Sequence, residues 1–373
     1  MNQQKPLVVL IMMVKNEEHC IERAIKSALP YIDYWVIIDT GSTDGTKANI
    51  RSALTTVPGE LLTGDWVDFG SNRTILVREA EESVVQYELR SEDDVGGAVF
   101  LTLDADDQIL SFPDVLNLDP AVDCWTSTVH AGAQRYEQIH LLRAGLPWYW
   151  EGKTHEALML EGRSANLAKL DGFEYLLGDD SSRRKSGSKT TDDIALLEQT
   201  LEENPDDPRA MFYLANSYRD NQEFGKAVDC YAARTQMAGF DEERFMSALR
   251  CGECMRILGD TEGATLSLLA AIQMRPWRAE PFVVLSTMYR EIGSHGLAHM
   301  WARNILSLPT THTDRLFCDP TARGWRGLEE YLYGTAFVGD WAEHNRAANE
   351  FYATAPPGEP ERVLMNCNRI TAR

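Results

Sequence analysis

The sequence predicts two parts of different class: an α/β domain built on a mostly parallel, Rossmann-like sheet, then an all-α solenoid of helical repeats. Three observations predict it. From residue 6 to about 175, β-rich apolar runs alternate with helical patterns, as in a sheet covered by helices on both faces. From about residue 191 the strand signal vanishes and small residues recur, 37 residues apart from Leu214 to Cys251 and 34 apart from Cys251 to Leu285. Between the halves lies "GDDSSRRKSGSKTTDD", rich in Ser, Gly and charge. The chain therefore divides into a domain over 1–180, a linker or active-site loop over 181–193, and a helical domain over 194–373.

"LVVLIMMV" reads as a buried strand, and "EEHCIERAIKSALPYI" follows with helical spacing at Cys20, Ile21, Ala24, Ile25 and Ala28. "YWVIIDT" is a second strand, followed by a turn and the helix "DGTKANIRSAL". "SNRTILVREAEESVVQY" is a third helix and "AVFLTL" a third strand. In such sheets ligands bind beyond the carboxyl ends of the strands. "VFLTLDADDQIL" brings Asp104, Asp106 and Asp107 to that edge. Like charges so close repel, and each loses solvation if partly buried. Either the cluster sits in water or something cationic belongs there.

In the second half, Leu214, Ala215, Tyr218, Ala227 and Tyr231 are matched by Cys251, Gly252, Met255, Ala264 and Leu268. Leu285, Ser286, Tyr289, Ala298 and Ala302 repeat the same internal spacing. Small residues at these places let paired helices approach closely, and the pattern resembles tetratricopeptide repeats. A looser fourth unit with Gly334, Ala336 and Ala347 reads as a terminal cap.

Composition narrows the function. A net charge of -21 over 373 residues argues against the broad basic face of a duplex-binding protein. "PLVVLIMMV" is too short to span a bilayer and lacks the flanks of a signal peptide. Seven scattered cysteines form no disulfide framework, and Cys251 and Cys254, although spaced C-x-x-C, read as helical core. The expectation is a cytoplasmic protein without a membrane anchor.

Four stretches fall where strand ends meet: "MMVKNEE", "IIDTGSTDGT", "DFGSNRTIL" and "LDADD". Together, and with the repeats behind them, they resemble family 2 glycosyltransferases of the GT-A fold that carry tetratricopeptide repeats, near the sublancin-type peptide S-glycosyltransferases. The resemblance implies a nucleotide-sugar donor, UDP-linked by preference, and Mn²⁺ or Mg²⁺ bridging its diphosphate, since hard cations prefer carboxylate oxygens. Asp104-Ala105-Asp106 resembles the D-x-D element, with Asp106 the direct metal ligand and Asp104 on the ribose or a metal-bound water. By the same resemblance Asp39 contacts the nucleoside, Ser42 and Asp44 shape the loop, and Asn16 and Glu18 lie near nucleobase and ribose. Asp44 is equally suited to cap the following helix. Asn72-Arg73 opens a helix, where a cation suits a uracil carbonyl or a phosphate.

"WYWEGKTHEAL" resembles the acceptor-side segment of that branch. Glu156 is the candidate general base and His155 the candidate metal or phosphate contact; the two roles are interchangeable. Trp148 and Trp150 offer either stacking surfaces or core. Two departures stand out: Asp39-Thr40 replaces two successive acids, and "LLGDDSSRR" lacks a histidine near the metal. Asp179 or Asp180, or else His155, would then complete the metal site, and Arg183, Arg184 and Lys185 would cover an anion if their segment is not a linker. The expected function is inverting, metal-dependent glycosyl transfer to a macromolecule, a peptide or protein by preference. A hydroxymethylated DNA base or a glycan is the alternative acceptor. An inactive transferase domain acting as a repeat scaffold is the alternative class, and the repeats could also form a homodimer.

Overall fold

A computed structural model describes residues 6–86, 97–132, 134–309, 312–363 and 367. The chain forms two compact units, residues 1–196 and 197–373. The first unit begins β1 (Leu7–Val14), α1 (Ile21–Ala28), β2 (Tyr34–Asp39), α2 (Thr46–Ala53), β3 (Gly59–Thr63), α3 (Phe69–Gln86) and β4 (Ala98–Thr102). It continues with β5 (Gln108–Ser111), β6 (Cys124–Ala131), β7 (Gln134–Arg143), β8 (Trp148–Glu151), β9 (Ala157–Leu160), β10 (Leu167–Leu176) and α4 (Ser182–Lys185). Tyr87, the last residue of the expected third helix, lies outside the described residues.

Eight strands form one sheet in the order β3-β2-β1-β4-β7-β6-β10-β5, and β8 and β9 make a separate hairpin. Strict alternation along the central strands builds two cores. Val8, Leu10, Met12, Trp35, Ile37, Val99 and Leu101 face Ile21, Ile25 and Ile50 of α1 and α2. Val9, Ile11, Val36, Ile38, Ala98 and Phe100 face Leu76, Val77, Ala80 and Val84 of α3, together with Trp148 and Leu160 of the hairpin. Trp148 is 3% exposed, so it packs in the core and is not a sugar-stacking surface.

The sheet is mixed, which corrects the mostly parallel expectation. β1·β2, β2·β3, β1·β4 and β6·β10 are parallel, while β4·β7, β6·β7 and β5·β10 are antiparallel. The reason is connection length. Helices return the chain between β1, β2, β3 and β4, whereas β6 and β7 are separated in sequence only by residues 132 and 133, and a connection that short can join only antiparallel strands.

α5 (Lys189–Glu203) leads into the second unit, which contains α6 (Pro208–Asp220), α7 (Phe224–Gln236), α8 (Asp241–Ile257) and α9 (Thr261–Met274). There follow α10 (Glu280–Glu291), α11 (His295–Ser307), the short α12 (Pro320–Arg323), α13 (Trp325–Val338) and α14 (Trp341–Thr354). Each long helix from α6 to α14 packs on the next in the series. Helix starts are set by side chains: Asp207 accepts from the N–H of Arg209 and Ala210 ahead of Pro208, and Asp260 and Asp340 cap α9 and α14.

The recurring small residues are buried where helices cross: Ala215, Ser286, Ala227 and Ala264 are at 0% exposure. Cys251 and Cys254 are buried free thiols, in keeping with helical core. A Cβ at Gly252 would lie 2.6 Å from Leu268 Cγ of the partner helix. Buried ion pairs add to the stack: Arg234, at 0% exposure, meets Glu243 at 3.0 Å, and Arg290 meets Glu330 at 2.7 Å. Glu330 also accepts from Ser286 and Thr287.

Gly252→Val should destabilise this unit by about 1–3 kcal/mol through overpacking. Urea unfolding of the full chain, followed by far-ultraviolet circular dichroism, measures it as an earlier midpoint for the helical transition.

Candidate active site at the carboxyl edge of the sheet

β1, β2 and β4 lie side by side and parallel, so Asn16 to Glu18, Asp39 to Asp44 and Asp104 to Asp107 leave the sheet at one edge. The first two stretches hold each other. Asn16 adopts a left-handed φ of 58°; its N–H donates to Ser42 Oγ at 2.8 Å, and its Oδ1 accepts from Thr43 N–H at 2.8 Å. Glu18 Oε2 accepts from Gly45 N–H at 2.6 Å. Asp44 accepts from Thr46 N–H and from Glu18 N–H. The cap position of α2 itself is Gly45, so Asp44 shapes the loop from one residue further out.

Asp39 is fully buried. Its Oδ1 accepts from the N–H of Gly41 and Ser42 and lies 3.5 Å from Lys47 Nζ. Burial alone would raise its carboxyl, but those donors outweigh it and hold the group below the usual range. Its Oδ2 is buried without a hydrogen-bond partner among the described residues.

The third stretch meets a different set. Arg73, in the first turns of α3, donates through Nη2 to both oxygens of Asp104 at 2.8 and 3.0 Å and through Nε to Glu156 Oε1 at 2.7 Å. This three-membered bridge joins α3, the end of β4 and the loop after β8. Despite desolvation, the two carboxylates raise the Arg73 pKa, so it stays charged. The neighbouring Asn72 is 2% exposed and turned inward, bonded to Val67 N–H and the Asp65 carbonyl. It is spent on its own turn and does not face the edge.

Asp106 Oδ2 accepts from Ser181 N–H at 3.1 Å, and burial together with Asp104 pushes its carboxyl up. Ala105 is buried behind it. Asp107 points into the protein, accepting from Tyr175 Oη–H at 2.8 Å and Gly178 N–H at 2.6 Å. Burial and the charge of Asp104 push it up to about 7. Gly178 is required here because a Cβ would fall 2.1 Å from the Asp106 carbonyl oxygen. Arg73, Asp104, Glu156, Trp150, His140 and Tyr175 line a cavity of about 100 Å³ between these elements. His140 stacks on Tyr175 at 3.7 Å, and burial drives its pKa down to about 3, so its imidazole is neutral.

The segment expected as linker or loop is no linker. Ser182 N–H donates to Glu17, Arg23 pairs with Asp180 at 2.7 Å, and Asp180 O meets His19 Nε2 at 2.6 Å. Asp180 is therefore committed to Arg23, which lowers its pKa, and it is not free as a third metal ligand. Asp179 is exposed. The charge of Arg184 offsets part of the rise at Asp106 that burial and Asp104 cause. His155 adopts a left-handed φ of 52° and lies 3.6 Å from Asp193. Asp106 is held only by a backbone N–H, whereas both oxygens of Asp104 are bonded to Arg73, so a hard cation bound by the pair would have to displace Arg73 from Asp104. Glu17, His19 and Cys20 also place donor atoms within 4.8 Å of one another. Those atoms are already partnered, the Cys20 thiol donating to Glu17 and His19 meeting the Asp180 carbonyl.

Sequence reasoning missed Arg23, Tyr175 and Asp193. Each makes a contact across more than 30 residues, and no local pattern marks them.

No family model matches the chain, and no curated protein matches it. Among solved structures it is similar to MamA (14% identity, 52% of this chain and 99% of that one, TM-score 0.35). It is similar also to TTC0263, a tetratricopeptide-repeat protein of Thermus thermophilus (15%, 51% and 94%, TM-score 0.34). A third is YrrB, described as a repeat protein with an unusual peptide-binding site (11%, 48% and 84%, TM-score 0.36). At these scores the likeness carries no argument about function. The resemblance to repeat-bearing family 2 glycosyltransferases is corrected by these comparisons: the similar structures are repeat proteins, and no family model supports the assignment. No helix among the described residues is long and apolar enough to cross a membrane.

The raised Asp107 makes stability pH-dependent. Its pKa lies above the unfolded value, so its contribution is complete below about pH 4 and is lost as pH rises through about 7. Asp107→Asn, which keeps a polar partner for Tyr175, should remove that slope. Relative to wild type, the variant should gain on the order of 1–4 kcal/mol in urea-unfolding stability between pH 5 and pH 8.

Proposed function

We propose that the first unit transfers a glycosyl group from a nucleotide sugar, UDP-linked by preference, to a protein acceptor, and that the helical repeats recruit that acceptor. The observation that carries this reading is the Arg73 bridge: one half-buried guanidinium holds Asp104 and Glu156 together beside Asp106 at the carboxyl edge of the sheet. Acids at the carboxyl ends of parallel strands stand where open sheets bind their ligands. The reading rests on this chemistry, not on family membership.

The donor set suits a divalent cation. Asp104 and Asp106 offer hard oxygen ligands, and Asp106 and Asp107 carry raised pKa values that a nearby cation would lower. When bound, the metal would neutralise charge on the departing diphosphate. The remaining roles fall to protein groups. The Asn16–Ser42–Glu18–Gly45 lattice presents the 41–46 turn to the nucleoside. A ligand donor brought to the buried Asp39 Oδ2 would satisfy it. Arg73 and Arg184 face the phosphates. The acceptor attacks the anomeric carbon from the face opposite the diphosphate, the carbon–oxygen bond to phosphate breaks, and the acceptor proton passes to Glu156. Arg73 Nε, 2.7 Å from Glu156 Oε1, holds that side chain in place for this role.

A second reading is a partner-binding scaffold with a silent transferase domain. It is favoured by the same bridge seen otherwise: Asp104 and Glu156 are already paired with Arg73, and Asp106 already has a backbone donor.

Hydrolysis of a panel of nucleotide sugars with Mn²⁺, Mg²⁺ or chelator separates the two. The transferase reading expects metal-dependent turnover of one donor, reduced about 100-fold or more in Asp106→Ala and in Arg73→Ala. No turnover of any donor, with co-purification of a stable protein partner through the repeats, would favour the scaffold.

A further inference from the structure

The loop that carries His155 and Glu156 and the segment that carries Arg183 to Lys185 come from different parts of the first unit, yet both end on one carboxylate. Asp193, 3% exposed in the second turn of α5, accepts through Oδ1 from Thr154 Oγ–H at 3.1 Å and from Arg183 Nη2 at 2.7 Å. Its Oδ2 lies 3.6 Å from His155 Nε2. The Arg183 guanidinium also covers the ring of Phe69 at 4.7 Å, and Phe69 N–H donates to the Lys153 carbonyl at 3.0 Å. Phe69 opens α3, four residues before Arg73. Gly70 allows the contact to close, since a Cβ there would lie 2.4 Å from the Gly152 carbonyl oxygen. Three parts of the site therefore converge on Asp193: the start of α3, the loop at 152–156 and the helix at 182–185.

The left-handed backbone of His155 gives this convergence a consequence. A non-glycine residue at φ 52° persists only where its surroundings hold it. The groups on either side of it are fixed: Thr154 by Asp193 and Glu156 by Arg73. Releasing Asp193 frees one end of that strained turn and, at the same moment, the basic helix.

We infer that Asp193 is a positioning residue for the transfer proposed above: it holds the Glu156 loop against Arg73 and keeps Arg183 to Lys185 folded toward the acid cluster. This rests on the transferase reading. Asp193 acts through Thr154, His155 and Arg183, and not by contact with the acids of the cluster.

The test uses the full chain with Asp193→Asn, Arg183→Gln, Thr154→Val and the Asp193→Asn/Arg183→Gln double variant. Hydrogen exchange read by mass spectrometry should show residues 152–157 and 181–189 exchanging about tenfold faster in Asp193→Asn, with β1, β2 and β4 unchanged. Turnover of the accepted nucleotide sugar should fall about tenfold in each of Asp193→Asn and Arg183→Gln, and the double variant should be no worse than the poorer single one. If Asp193→Asn fails to fold, Thr154→Val and Arg183→Gln each release one arm, and each should loosen its own segment alone. Unchanged exchange in either segment, or losses that multiply in the double variant, would overturn the role of Asp193. Faster exchange in both segments of Asp193→Asn, beside a wild type that turns over no donor, would instead overturn the transferase reading and leave Asp193 a latch without a reaction.

Discussion

Charge balance at the end of β4 is the constraint on which the rest of this edge depends. Three carboxylates within four residues, one buried and two half-buried, have to be stabilised by something other than water alone. The protein divides the task. Asp104 takes Arg73, Asp106 takes the backbone of Ser181 and the field of Arg184, and Asp107 turns inward to Tyr175 and Gly178. Each solution recruits a distant element: α3, the segment after β10, and β10 itself. Meeting the electrostatic demand is thus what draws Glu156 and the basic helix to the strand ends. Without those partners, burial alone would neutralise the acids by protonation, as the raised Asp106 and Asp107 already indicate.

The same arrangement explains why the site is positioned by tertiary contacts and not by strands alone. β1 and β2 deliver Asn16 and Asp39, but the turn after β2 keeps its shape only because Asn16, Glu18 and Asp39 saturate its N–H groups. A buried acceptor without a donor costs about 1–3 kcal/mol, and Asp39 Oδ2 is one such atom at the centre of this lattice. Orphans of this kind are uncommon in folded proteins, and this one lies where a nucleoside is proposed to bind.

Legibility in the sequence follows the range of the interactions. β1, β2 and β4 are readable from their apolar runs, and the repeat spacing locates Ala215, Gly252 and Ser286 because close helix crossing admits only small residues. The mixed sheet is not readable: β7 and β10 have a largely exposed or half-exposed, weakly alternating pattern, and the β6–β7 direction is set by a short connection whose role emerges only once they pair. Asp104, Asp106 and Arg73 stand out by their places after strands and at a helix start. Trp148 and Asn72 mislead because an aromatic before a loop, or an amide at a helix start, serves packing and turn closure as readily as a ligand. The polar stretch after residue 178 has the composition of a linker, yet its N–H groups are donors that the buried acids require.

The most direct test of this account is isothermal titration of uridine diphosphate into the full chain, with and without Mn²⁺, for wild type and Asp106→Ala. Exothermic binding to wild type that weakens about tenfold or more when Mn²⁺ is omitted, and equally in the variant, is the predicted result. Binding of equal strength in all four titrations, or no binding of this or any other nucleoside diphosphate, would contradict the claim that the acids at the end of β4 are built around a metal-bound diphosphate.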